Sequence, residues 1–289
     1  DPQGTGKRDI GRFGDELRRK GISAQSLNLG TLPDIPANTS VLVLASPESS
    51  PLPGEIDLIG DFVDQGGSLL WLTEPNSKAD LSPLEEHLGL RILPGVIVDA
   101  TTQLFGMDNP AFALVSEYFP HPVTENFRTI TVFPFAAALE INNDSGFTAT
   151  PFLTTAAKSW TETSPIEGRI RFDADGNERS GPLALAFALT RELLDGAGTR
   201  VQRIVVVGDG DFLSNAYLGN GGNLDMGFNM IHWLSHDDRF INIPAKTASD
   251  RSLSLSPLAM GIIGFGFLLI LPLALIGSGL IIWWKRRNR

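Results

Sequence analysis

The sequence predicts an α/β fold: a largely parallel sheet with flanking helices, an antiparallel β insertion and one C-terminal transmembrane helix. Three observations carry this prediction. Residues 41–45 (VLVLA) and 203–207 (RIVVV) are short, almost unbroken apolar runs, as in strands buried on both faces of a parallel sheet. Between residues 41 and 73 an apolar strand, an amphipathic helix and a second apolar strand follow one another, which makes a βαβ unit. Residues 258–284 then run for 27 residues without a charged side chain, beyond the about 20 that cross a bilayer.

Charge and composition narrow the function. The chain of 289 residues has 23 Lys and Arg against 33 Asp and Glu, a net charge of −10, and removing the four cations of the last five residues leaves −14. So acidic a surface does not seek nucleic acid or anionic lipid. Cysteine is absent, which excludes disulfides, thiolate nucleophiles and cysteine metal sites. No cofactor is expected. The predicted organisation is an extracytoplasmic α/β domain over residues 1–244, with a β-rich insertion at about 101–180, a tether over 245–257, the span over 258–284 and a basic cytoplasmic tail over 285–289.

In chain order, residues 8–20 (RDIGRFGDELRRK) place Ile10, Phe13 and Leu17 at helical spacing, with Gly21 as the stop. The preceding Gly4-Thr5-Gly6-Lys7 is not a phosphate loop: no strand precedes it, the first glycine is missing, and Arg8 stands where Ser or Thr should bind magnesium. Residues 22–29 and 41–45 read as strands. Residues 53–65 (PGEIDLIGDFVDQ) read as a helix through Ile56, Ile59, Phe62 and Val63, closed by Gly66-Gly67. A strand at 68–73, a short helix at 81–88 and a strand at 90–98 follow. Alternating stretches at 130–135 and 147–153, with turns at Asn142-Asn143-Asp144 and Asp175-Gly176-Asn177, predict antiparallel hairpins. Parallel character is expected to return with 183–189 (LALAFAL) and 203–207. Residues 223–234 form a helix with Asn223 as N-cap, and residues 240–244 lead into the tether.

The C-terminal stretch has the marks of a membrane stop. Ser256-Pro257 can start the helix, Trp283 and Trp284 fit an interfacial belt, and Lys285, Arg286, Arg287 and Arg289 follow at once. The positive-inside rule then puts the tail in the cytoplasm and the domain outside. An opening Asp1-Pro2, with no apolar signal segment, predicts an upstream export element. Gly261, Gly264 and Gly266 form a small-residue patch expected to dock against a neighbouring membrane helix.

Among candidate site residues, the strongest group is VGDGDFLSN, residues 207–215, at the C-terminal end of an apolar strand, where open α/β sheets bind ligands. Asp209 and Asp211 could hold a cation or act as acid and base, with Asn215 as a hydrogen-bonding partner. The plainer reading is that short polar side chains bond the turn backbone. Glu74, at the end of another strand, reaches toward the same edge. His121 sits between Pro120 and Pro122 and reads as a rigid-turn histidine. Asn223 follows a Gly219-Asn220-Gly221-Gly222 loop that could present amides to an anion. His232 and His236 share a helical face but lack the glutamate of an HExxH site. No metal site is predicted. Asp173, Asp175 and Asn177 imitate a calcium loop but have Glu178 where glycine is required, and no GxSxG elbow exists.

With these residues in view, the chain resembles the GldG-like auxiliary components of bacterial ABC transporters, a group tied to gliding motility and uncharacterised transport. The resemblance rests on DPQGTGKRDIGRFGDELRRKG, VLVLASP, DFVDQGGSLLWLTEP, FPHPVT and VVVGDGDFLSNAYLGNGGNLDMGFNMIHWL. It implies a fold like that of class I glutamine amidotransferases, in the flavodoxin-like manner, without their cysteine and with no established reaction. It implies as partners an ABC permease and its cytoplasmic ATPase at the inner membrane, with a second auxiliary subunit as a further candidate, and no nucleic acid. The expected role is a non-enzymatic accessory subunit; the alternatives are a metal-assisted hydrolase using Asp209 and Asp211, and an envelope solute sensor.

Overall fold

Strand β1 (Leu42–Ala45) and strand β2 (Leu69–Leu72) lie side by side in parallel, with Leu42 opposite Leu69, and helix α2 crosses between them. The computed structural model describes residues 1–99, 102, 109–142, 145–166, 170–195, 198–236 and 271–287. Within these, the remaining elements are α1 (Gly11–Arg19), α2 (Pro53–Asp64), α3 (Ser82–Leu88), β3 (Leu90–Ile92), β4 (Val96–Asp99), β5 (Phe112–Val115), β6 (Thr131–Pro134), β7 (Leu139–Ile141), β8 (Thr148–Thr154), β9 (Ser159–Glu162), β10 (Ala184–Asp195), β11 (Gly198–Val207), α4 (Asn223–Leu234) and α5 (Leu271–Arg287). The chain divides into two compact units, Asp1–Ala245 and Lys246–Arg289.

The main sheet of the first unit has the order β1-β2-β11-β10-β7-β3, with β8 also along β10. Only β1, β2 and β11 are mutually parallel; β10 pairs antiparallel with β11, β7 and β8, and β7 antiparallel with β3. The β4–β9 and β5–β6 pairs are separate antiparallel ladders. Alternation along β2 and β11 sends side chains to two cores. Leu69, Trp71, Ile204 and Val206 meet Ile59 and Val63 of α2 and Leu84 and Leu88 of α3. Leu70, Leu72, Val205 and Val207 meet Phe13 and Leu17 of α1 and Met226, Phe228 and Met230 of α4. Each such fully buried side chain contributes about 1.5–3 kcal/mol.

Local chemistry sets the ends of these elements. Helix α2 starts at Pro53, and Glu55 Oε2 accepts the Leu52 N–H at 2.8 Å. It stops before Gly66, whose φ of 87° is left-handed. Gly95, at φ 89°, breaks the single strand expected over 90–98 into β3 and β4.

The largely parallel, flavodoxin-like sheet is therefore corrected to a mixed one. LALAFAL and RIVVV are adjacent, but as the two arms of a hairpin, from Ala186 opposite Val207 to Asp195 opposite Gly198. An apolar run reports burial on both faces, and a central antiparallel strand with cores on both sides satisfies that equally. Residues 22–28 form no strand, although Ile22 and Ala24 pack on the core.

The predicted transmembrane helix is also corrected. Among the described residues no helix is long and apolar enough to cross a membrane. Helix α5 has 17 residues, and Lys285, Arg286 and Arg287 fill its last turn. Residues 258–270 of the expected span, with Gly261, Gly264 and Gly266, lie outside the described residues, as do residues 240–244 and the tether.

Candidate functional site

Because β1, β2 and β11 run parallel, their C-terminal ends open on one edge of the sheet. The next residues of each converge there: Ser46 after β1, Glu74 after β2, and Gly208-Asp209-Gly210-Asp211 after β11. Two bonds prolong the ladder to this point, Ser46 N–H to Leu72 O and Thr73 N–H to Val207 O, both at 2.9 Å.

Glu74 ties the three ends together. Its Oε1 accepts from Ser46 Oγ at 2.8 Å and from the Gly210 N–H at 3.0 Å. Ser46 takes a φ of 40° to present that hydroxyl. Gly210 is required by space, since a Cβ would collide with Ser46 Oγ. Asp209 has no exposure; its Oδ1 accepts the Asp211 N–H at 2.7 Å, and its Oδ2 has no hydrogen-bond partner among the described residues.

Burial raises the affinity of all three carboxyls for a proton, and repulsion adds to it at Glu74 and Asp209. Burial raises the Glu74 carboxyl to about 7, and the charge of Asp211 adds to that. Burial pushes Asp209 well above the usual carboxylate range, reinforced by Glu74 and Asp211. Asp211 is raised by burial, with the Arg8 guanidinium opposing. Burial thus favours the protonated form of Asp209, and Glu74, at about 7, is poised to exchange a proton near neutral pH. Among the described residues no group of three or more His, Asp or Glu side chains is arranged to hold a metal ion.

The other sequence candidates are placed elsewhere. Asn215 fastens the N-terminal strap, residues 1–10 ahead of α1, to that helix: its Oδ1 accepts the Arg12 N–H at 2.7 Å, and its Nδ2 donates to Gly4 O at 3.0 Å and Gly6 O at 2.8 Å. Asn223 is not the N-cap, which is Gly222, but the first residue of α4. Fully buried, it accepts the Val132 N–H at 2.9 Å and donates to Val132 O, Phe212 O and Tyr217 O. His121 lies between Phe152, stacked at 5.3 Å, and Trp233, edge-on at 4.8 Å. Burial lowers it to about 4, with the Arg203 charge adding, and its Nδ1 accepts the Val123 N–H at 3.2 Å. Glu74, Asp209 and Asp211 thus meet, while Asn215, Asn223 and His121 each bolt other parts of the fold. Ser46 was missed by the sequence reading; the signal was its place directly after an apolar strand of the same parallel set.

Residues 6–236 match the family model described as ABC-type uncharacterized transport system. No curated protein matches the sequence. The solved structure titled "mmIFT52 N-terminal domain" is similar over 80% of this chain and 92% of that chain, with a TM-score of 0.58 and 16% identity. At that identity the similarity speaks for the fold alone, and it replaces the amidotransferase-like and flavodoxin-like expectation.

Proposed function

The chain belongs to the ABC-type uncharacterized transport system family, as an auxiliary component, and on that premise we propose that it is a non-enzymatic accessory subunit. In this reading it associates with the membrane through an ABC permease and its cytoplasmic ATPase, and offers them a binding domain on the extracytoplasmic side. The observation that supports a binding rather than a catalytic role is how the acidic edge is used. Glu74 clamps Ser46 and Gly210, and Asp209 Oδ1 is taken by the Asp211 N–H, so the carboxyls hold the three strand ends in register.

One observation favours a second reading, an acid–base hydrolase: Glu74 raised to about 7 beside a buried Asp209 whose carboxyl is also raised has the form of an acid–base pair. Changing Asp209 and Asp211 together to Asn separates the two. The accessory reading predicts retained transport-linked function, since an Asn Oδ1 at position 209 can still accept the residue 211 N–H. Loss of function with unchanged melting and unchanged partner recovery would favour the hydrolase.

A further inference from the structure

A cleft of about 570 Å³ lies between the N-terminal strap and α1, and its charge is opposite to that of the acidic edge. Its lining includes Lys7, Arg12, Asp15 and Arg18, with Gly4 and Asn215. Arg18 pairs with Asp15, so the local balance is three cations against one carboxylate. Neither Lys7 nor Arg12 has a carboxylate within ion-pair distance among the described residues. Arg12 instead donates from Nη1 to Asn215 O at 2.9 Å, which holds its guanidinium at the cleft. In a chain of net charge −10, residues 7–20 contain six cations against three carboxylates, a locally positive stretch.

The strap is fixed in place, which makes the cleft a built feature. Asn215 Nδ2 binds Gly4 O and Gly6 O, Asp9 Oδ2 accepts the Gly6 N–H at 2.7 Å, and Asn215 and Ala216 donate their N–H groups to Asp9 O and Lys7 O. Gly11 lets the strap lie directly on α1, since a Cβ there would collide with Gly4 O. The volume is that of a small-molecule site. A net local charge of about +2 matches the −1.5 to −2 of a phosphate monoester at neutral pH, and guanidinium forks fit phosphate oxygens.

We propose that this cleft binds a phosphate-bearing anion, either a soluble phosphate ester or a phospholipid headgroup. Titrating the full chain with glycerol 3-phosphate at low ionic strength, by calorimetry, reads it directly. Saturable binding is expected that weakens at least about fivefold in Lys7→Gln and again as salt screens the charges. Lys7 is exposed and its side chain holds no structural bond among the described residues, so Lys7→Gln is expected to keep the wild-type melting temperature. Vesicles of phosphatidylglycerol and of phosphatidylcholine separate the two sources. Capture by the former alone, released by glycerol 3-phosphate, assigns the lipid headgroup, while binding of the free ester without capture assigns a soluble ligand. No saturable binding of ester or vesicle, or binding that Lys7→Gln and Arg18→Gln leave unchanged, would overturn the proposal.

Discussion

At the scale of single residues, the two most perturbed kinds of group pull stability in opposite directions with pH. The folded state holds the Glu74 proton more tightly than the unfolded chain, from 4.5 up to about 7. That contribution is complete below pH 4.5 and is lost as pH rises through 7. Glu74→Gln cannot ionise and can keep the bonds from Ser46 and Gly210. It is therefore expected to match the wild type near pH 4.5 and to exceed it by about 1–3 kcal/mol at pH 8, in denaturant unfolding at both values. His121 has the reverse sign. Its folded value falls from 6.5 to about 4, so its contribution is complete above 6.5 and disappears as pH falls through 4. His121→Asn should flatten the acid limb of the stability profile between those values, and a wild-type acid slope in that variant would remove His121 as its cause. Asn223 acts without titrating. Asn223→Ala leaves the Val132 N–H and the Val132 and Phe212 carbonyls short of a partner in a dry place, and a loss of about 2–4 kcal/mol in chemical unfolding is expected.

At the scale of elements, the β10–β11 hairpin dominates the fold, and it is fixed to α2 by side chains. Gln202 Nε2 donates to Val63 O at 2.6 Å and Gly67 O at 2.9 Å, and Arg200 Nη2 donates to Gly66 O at 2.9 Å. Gln202→Leu removes a buried donor from two carbonyls and should cost about 1–3 kcal/mol. Hydrogen exchange should show the loss concentrated in α2 and the hairpin, and a change spread evenly over the domain would contradict this coupling. The same hairpin shows what the sequence made legible. Val41–Thr73 announced its strand, helix and strand because each apolar period was clean and Gly66-Gly67 marked the turn. Residues 183–189 and 203–207 were recognised as strands, but their relative direction was not, because apolar runs encode burial and not orientation. Their polar extensions, Thr190–Asp195 and Gly198–Gln202, alternate too irregularly to be read as strand. Pairing alone makes them so.

At the scale of the whole molecule, Glu74, Asp209 and Asp211 were readable as one edge because strand ends in parallel sheets gather there, and the three parallel strands kept that much true. Ser46, Arg8 and the buried state of Asp209 were not readable, since they depend on a Gly210 turn closing over β1 and on the strap. The transmembrane expectation over 258–284 came from length and hydropathy; among the described residues, which leave out 258–270, no helix is long and apolar enough to span. The central claim is that this auxiliary component works by holding partners and not by turning over a substrate. Its most direct test is affinity recovery of the full-length protein from its native membrane in mild detergent, with the wild type and Asp209→Asn/Asp211→Asn compared by mass spectrometry. The account predicts that an ABC permease and its ATPase are recovered in equal yield with both; recovery of neither subunit with the wild type would contradict it.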